Sequence, residues 1–213
     1  MLRTTVPVYF KATPNLHIFA DKIRAGHIFK EANKIWRVLG NSRSQKGQMS
    51  ATYNIKVAEI GNPLKTKEIR SSQGHDFPEV RCEKTKLLFS GFDDDDFACF
   101  VFPEHHSEAG KEVNIKGDSL PETHQKFLAC GMPVDLLHVL PDEEDGVKEM
   151  WTEVSLPSSH TYTVEKIQLK GMYKMAVLEE CDGTISVTDA VQIGDKIKVT
   201  IKPDGTAQFG QKL

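Results

Sequence analysis

From Ile23 onward, apolar and polar residues alternate with the period of two that marks half-buried β-strands. RAGHIFKEANKIWRVLG reads as a turn, a strand, a tight turn at Ala32-Asn33 and a second strand. SATYNIKVAEI (Ser50 to Ile60) alternates cleanly, GNP (Gly61 to Pro63) is a turn, and LKTKEIRSS alternates again. Four or five short strands within about 60 residues predict a small barrel. GHDFPEV (Gly74 to Val80) reads as a linker. EVRCEKTKLLFSG and FACFVFP then form a hairpin pattern around FDDDD (Phe92 to Asp96), and VDLLHVL is a further strand. SLPETHQKFLACG (Ser119 to Gly131) is the one clear helix, with a capping Ser119, a proline in the first turn and a closing Gly131. It should turn Phe127, Leu128 and Cys130 toward a core. TYTVEKIQL, YKMAVLEE, TISV and DKIKVTIKP alternate again, with turns at Cys181-Asp182-Gly183 and Pro203-Asp204-Gly205. That spacing predicts a five-stranded OB-like barrel. The expected fold is all-β: three small β-barrels in a row, with one short helix in the middle one.

Composition agrees with this reading. The chain has 213 residues, 39% of them hydrophobic, enough for a sizeable core or several small ones. Aromatics are sparse at 8%, so the cores should be mainly aliphatic. No apolar run approaches the roughly 18 residues of a membrane span, so no membrane partner is expected. Cys82, Cys99, Cys130 and Cys181 are scattered without a CxxC, which disfavours zinc and fits a reducing compartment. They read as buried small apolar side chains.

Charge changes the picture. The net charge of −3 hides an asymmetry. Residues 17–77 hold 11 Lys/Arg against 5 Asp/Glu, residues 78–154 hold 7 against 18, and residues 155–213 hold 7 against 7. A basic module suggests a nucleic-acid phosphate partner, and an acidic middle block would limit indiscriminate RNA binding. Plain solubility patterning is the alternative. The opening MLRTTVPVYFKATPNLHIFA has no Asp or Glu. A transit peptide, a disordered extension and a short first strand all fit it.

No catalytic constellation stands out: there is no GxSxG, P-loop, HExxH or Rossmann fingerprint. His124 and Cys130 lie six residues apart, on different faces of a helix. The aspartates of FDDDD suit a solvated turn or a cation, but lack the glycine and distal Glu of a calcium loop. His105-His106 reads as surface loop. No catalytic residue, metal or cofactor is therefore expected, and a binding molecule remains. Its most suggestive feature is NSRSQKGQM (Asn41 to Met49), a basic loop between two strands. Gly47 permits a tight turn or close approach, and Lys46 is a flexible point charge. An ordinary hairpin tip would look much the same.

Several of these stretches are similar to bacterial elongation factor P. DKIRAGHIF (Asp21 to Phe29) resembles the family's opening strand, entered through the turn Ile23-Arg24-Ala25-Gly26. KGQMSATYNIKVAEIGNPLKTKEIRSSQ resembles the family's tip lysine, the Gly-Gln after it and the strands completing the first barrel. VTDAVQIGDKIKVTIKPDG (Val187 to Gly205) resembles its C-terminal strand pair. The resemblance covers about residues 20 to 210, in order and spacing. It implies an L-shaped outline like that of tRNA. Residues 1–16 would be an extension, 17–77 an SH3-like (KOW-like) barrel, 78–154 an acidic OB-like domain and 155–213 a C-terminal OB-like domain.

The resemblance also implies a translation elongation factor and no enzyme. It would bind the ribosome beside peptidyl-tRNA as a monomer and promote peptide-bond formation at stalled sequences such as consecutive prolines. Arg43, Ser44, Gln45, Lys46, Gly47 and Gln48 would form the RNA-contacting loop. In many members the tip lysine carries a β-lysyl group, and the eukaryotic and archaeal cousin carries hypusine. Lys46 is the matching position, and a lysine-modifying enzyme would be a further partner. Departures exist. Arg43-Ser44-Gln45 stands where the family has Lys-Pro-Gly, and Thr188 replaces a proline. Ala207 and Gly210 fall where many members have Tyr and Arg. These leave open a divergent ribosome-associated RNA-binding protein without the tip-lysine function. With the acid-free N-terminus, they suggest a mitochondrial or other organellar member; a cytoplasmic one is the alternative.

Overall fold

The computed structural model of the chain describes residues 17–45, 50–202 and 206–213. It is all-β apart from one short α-helix, and it divides into two compact units, Met1–Glu59 with Pro63–Arg81 and Ile60–Asn62 with Cys82–Leu213.

The first unit carries β1 (His17–Phe19), β2 (Ile28–Glu31), β3 (Lys34–Ser44), β4 (Thr52–Glu59), β5 (Asn62–Ser72) and β6 (Asp76–Pro78). Strands β2 to β5 form a four-stranded sheet in chain order, and β1 pairs antiparallel with β6. The expected turn at Ala32-Asn33 has φ of +51° and +60°. Two central residues with positive φ match the twist of flanking strands, so a two-residue loop joins β2 to β3 with Glu31 opposite Lys34. Burial alternates along β4: Tyr53, Ile55 and Val57 face the core. Phe29 and Phe77 meet there with ring centroids 4.5 Å apart. The stretch expected as a linker is thus partly structural: Phe77 of β6 is a core residue, which polar neighbours in GHDFPEV conceal.

The second unit begins with β7 (Cys82–Phe92), β8 (Phe97–Val101) and β9 (Glu112–Lys116). A 3-10 turn (Gly117–Ser119) and helix α1 (Glu122–Phe127) follow, then β10 (Pro133–Val139) and β11 (Met150–Ser155). Its remaining strands are β12 (Ser159–Lys170), β13 (Tyr173–Leu178), β14 (Thr184–Val187), β15 (Lys196–Ile201) and β16 (Ala207–Lys212). One five-stranded sheet runs β11-β10-β7-β8-β9 and another β14-β13-β12-β15-β16. Each curls until its edge strands approach, β9 toward β11 and β14 toward β16. Bulges at Phe89/Gly91, Leu136/Leu137, Val164/Lys166 and Lys198/Val199 supply the bends.

Several expectations need correction. The helix is only six residues long, with Pro121 at its N-cap and no side-chain cap; Ser119 belongs to the 3-10 turn. Phe127 and Leu128 are buried as expected, but Cys130 is exposed, because backbone after Phe127 leaves the helix. Cys82, Cys99 and Cys181 are only half-buried; Cys181 packs against the hydrophobic cluster of the second unit, but none of the four is fully buried. The Asp93 carboxylate accepts the backbone N–H groups of Asp95 and Phe97, closing the turn of FDDDD on itself. Among the described residues, no three His, Cys, Asp or Glu side chains come together as metal ligands. No described helix is long and apolar enough to cross a membrane.

One hydrophobic cluster runs through both five-stranded sheets, from Leu87 and Phe100 to Ile197 and Val199. The end of α1 lies within it. The buried Tyr162 hydroxyl donates a 2.6 Å hydrogen bond to the Phe127 carbonyl, one of the acceptors a helix end leaves unmatched. Burial pushes the Tyr162 phenol well above its ordinary value, so it stays a donor. Gly183 lies against the same turn. A Cβ there would stand 3.0 Å from the Lys126 carbonyl oxygen and 3.0 Å from the Phe127 ring.

Removing the Tyr162 hydroxyl strands a buried carbonyl. Tyr162→Phe should lower the unfolding free energy of the second unit by about 1–2 kcal/mol in urea denaturation. Gly183→Ala should cost about 1–3 kcal/mol by overpacking. Wild-type midpoints for both variants would show that this junction carries no stability.

Candidate nucleic-acid interface

The β3–β4 hairpin carries the stretch expected as the basic loop. Strand β3 has 11 residues, which at about 3.4 Å per residue separates its ends by roughly 30 Å. Its tip register runs Asn41 opposite Ile55, Ser42 opposite Asn54, Arg43 opposite Tyr53 and Ser44 opposite Thr52. The two flanks are unequal. Ala51, just before β4, and Tyr53 on it are buried, whereas Ser42, Arg43, Ser44 and Gln45 are all exposed. The β4 flank fixes the hairpin to the core, and the β3 flank presents polar groups to solvent.

Of the six expected loop residues, Arg43, Ser44 and Gln45 lie here; Lys46, Gly47 and Gln48 lie outside the described residues. The Arg43 guanidinium donates to the Gln45 side-chain oxygen at 2.7 Å, so two of the three residues just before position 46 hold each other.

The root of the hairpin is set by a residue whose role sequence reasoning missed. The Asn41 amide donates at 3.1 Å to the Ala20 carbonyl and at 3.1 Å to the Ile23 carbonyl. Those carbonyls belong to the turn that leads into Arg24, and Gly26 in turn donates its N–H to Val38 at 2.8 Å. Gly26 has φ +94°, which explains the glycine of Ile23-Arg24-Ala25-Gly26. The exposed Lys22 and Arg24 are thereby held beside β3. Lys56, also exposed, sits across from Gly40, and Asp21 is the one carboxylate in the same turn. An asparagine at the edge of a polar loop gives no sign, from sequence, of reaching residues about twenty positions earlier.

Acidic residues gather at the other end. The Lys34 ammonium is 2.8 Å from Glu59, Lys65 is 3.0 Å from the same carboxylate, and Lys67 is 2.6 Å from Glu31. Lys67 also lies 4.1 Å from the Trp36 ring centroid. The Lys34 ammonium, and then that of Lys65, hold the Glu59 carboxyl below its ordinary range. Charges are thus paired at the Lys34 end of β3, while Arg43 at the opposite end meets no described carboxylate. Cations held out this way can meet phosphate without first breaking an ion pair.

Two measurements follow. Asn41→Ala should destabilise the first unit by about 1–2 kcal/mol, and Asn41→Asp by more, because a carboxylate turned toward two carbonyls supplies no donor. Thermal melts ranking Asp above Ala would refute the anchor. Because the folded Glu59 pKa is depressed, its ion pairs contribute fully above the ordinary carboxylate range and are lost as pH falls through the lower folded value. Glu59→Gln should therefore flatten the acid limb of the unit's stability profile, read by amide exchange in β4 and β5.

No family model matches the chain, and no curated protein matches it. Among solved structures it is similar to a eukaryotic translation initiation factor 5A from Methanococcus jannaschii, at 11% identity, over 66% of this chain and 94% of that one, with a TM-score of 0.49. It is also similar to a translation initiation factor eif-5a family protein from Naegleria fowleri, at 13% identity, over 68% of this chain and 100% of that one, with a TM-score of 0.44. At these identities the likeness concerns fold alone.

Proposed function

We propose that the chain is a translation factor that binds the ribosome beside peptidyl-tRNA and promotes peptide-bond formation at stalled sequences such as runs of proline. The observation that carries this reading is the hairpin itself. It is anchored by Asn41, packed on its β4 flank and cationic where its exposed tip begins at Arg43. The motif resemblance at both ends of the chain supports the same reading, with Arg43 to Gln48 as the RNA-contacting loop and Lys46 at its tip. The mechanism is positional. Proline is a poor nucleophile for geometric reasons, and its rigid ring favours unproductive nascent-chain shapes. Holding the tRNA end in a reactive arrangement recovers part of the entropic barrier. The factor itself supplies no covalent step.

A second reading is a divergent ribosome-associated RNA-binding protein without the tip-lysine function. The Arg43–Gln45 contact favours it, since it replaces the Lys-Pro-Gly that precedes the lysine elsewhere in the family. A lysine-modifying enzyme would not meet its usual loop there; intact-mass analysis of the native protein reports directly whether Lys46 is modified.

A photocrosslinker at position 46, on ribosomes stalled at a proline run, separates the readings. Capture of the peptidyl-tRNA 3′ end supports the first, and Lys46→Ala should then abolish rescue of the stall. Ribosome binding with no capture supports the second, in which Lys46→Ala is silent. Binding to the ribosome should weaken as salt rises. No salt-sensitive binding at all would defeat both.

A further inference from the structure

The second unit contains a cleft that the proposed function does not use. It has a volume of about 260 Å³ and opens between the two curled sheets. It is lined by Phe89 and Phe92 from the end of β7, by Leu128 and Cys130 after α1, and by Glu180, Cys181 and Asp182 from the β13–β14 turn. The two phenylalanine rings meet edge-on at 5.2 Å, and Phe92 is 42% exposed, a large aromatic left open at the mouth of a pocket. No lysine or arginine lines it. The nearest lysine along α1, Lys126, is engaged by Glu122. His160 is close enough to feel the Glu180 charge, but burial keeps its ring biased to the neutral form.

We infer that this cleft binds a basic segment of a partner protein, taking the side chain of one arginine or lysine. The chemistry selects that occupant. A cleft that offers an exposed phenylalanine beside two carboxylates matches a side chain that is methylene along its stem and cationic at its head. The stem would lie on Phe92, and the head would reach Glu180 and Asp182, with the exposed aromatic ring adding a cation–π contact. The volume is below the roughly 300 Å³ at which small-molecule pockets begin, which suits a single side chain. Nucleic acid is excluded by like charge, and among the described residues no three His, Cys, Asp or Glu side chains are placed to hold a metal. This inference is independent of the tip loop's role.

The test uses the full chain and a fluorescent peptide in which arginine alternates with alanine, read by anisotropy. The paired change Glu180→Gly with Asp182→Asn should weaken binding about tenfold. Glu180 has φ +65°, a conformation glycine adopts freely, so Glu180→Gly alone should not lower the melting temperature. Lost affinity is then separable from misfolding. Bound peptide should also slow alkylation of the exposed Cys130 thiol relative to Cys82. The inference fails if the paired variant keeps wild-type affinity, or if the peptide binds while Cys130 reacts at an unchanged rate. It fails equally if Glu143→Gln with Glu144→Gln, in a separate acidic turn, costs as much, since binding would then be general attraction to negative charge. Tighter peptide binding after removal of residues 1–16 would instead identify the chain's own basic N-terminal segment as the occupant.

Discussion

The second unit depends on how the last turn of α1 is received. A six-residue helix is too short to be stable by itself, and its terminal carbonyls need partners wherever it is buried. Tyr162 supplies a donor to Phe127, and Gly183 removes the Cβ that would otherwise strike Lys126 and Phe127. Through those two contacts a strand and a turn from one curled sheet close over a helix from the other. The aliphatic cluster that fills both sheets follows from that closure, as does the cleft whose walls they contribute.

The first unit solves a different problem. A sheet edge rich in lysine and arginine would repel itself, and pairing every cation would leave nothing for a ligand. Here pairing is spatially graded across the four-stranded sheet. Glu31 and Glu59 absorb Lys34, Lys65 and Lys67 where the strands pack, and Arg43 is left at the far end. The same ladder that gives the hairpin its reach keeps the two charge environments apart.

Much of this was legible in the sequence, and the failures have physical causes. Period-two alternation found β4, β7, β12 and β13, because each buries one face. EVNIK in β9 alternates just as well, but Gly110, Lys111 and Gly117 around it make the stretch read as loop. β11 and β16 carry few strong apolar pairs, and Phe209 is the lone aromatic of β16. The helix was overextended because Ser119 and Gly131 look like caps, while the actual start is fixed by Pro121 and the end by Leu128 turning extended. Phe77 could not be read as core from a stretch rich in Gly, His, Asp and Pro. At the candidate interface the loop was found from charge and glycine, whereas the Asn41 anchor depends on contacts about twenty residues away, which no local pattern encodes.

The bulge between Val38 and Gly40 bears on how such a loop changes over time. Leu39 is the extra residue, and it is 45% exposed; before it Trp36 and Val38 alternate into the core, and after it β3 has no buried residue. With the Asn41 anchor just beyond it, pairing on the core side is settled before the chain reaches the tip. Replacements, insertions or losses after Asn41 therefore leave the root register untouched. The tip is a segment on which substitutions can accumulate at little cost to folding, so its sequence can drift toward a new ligand while the barrel beneath it stays the same.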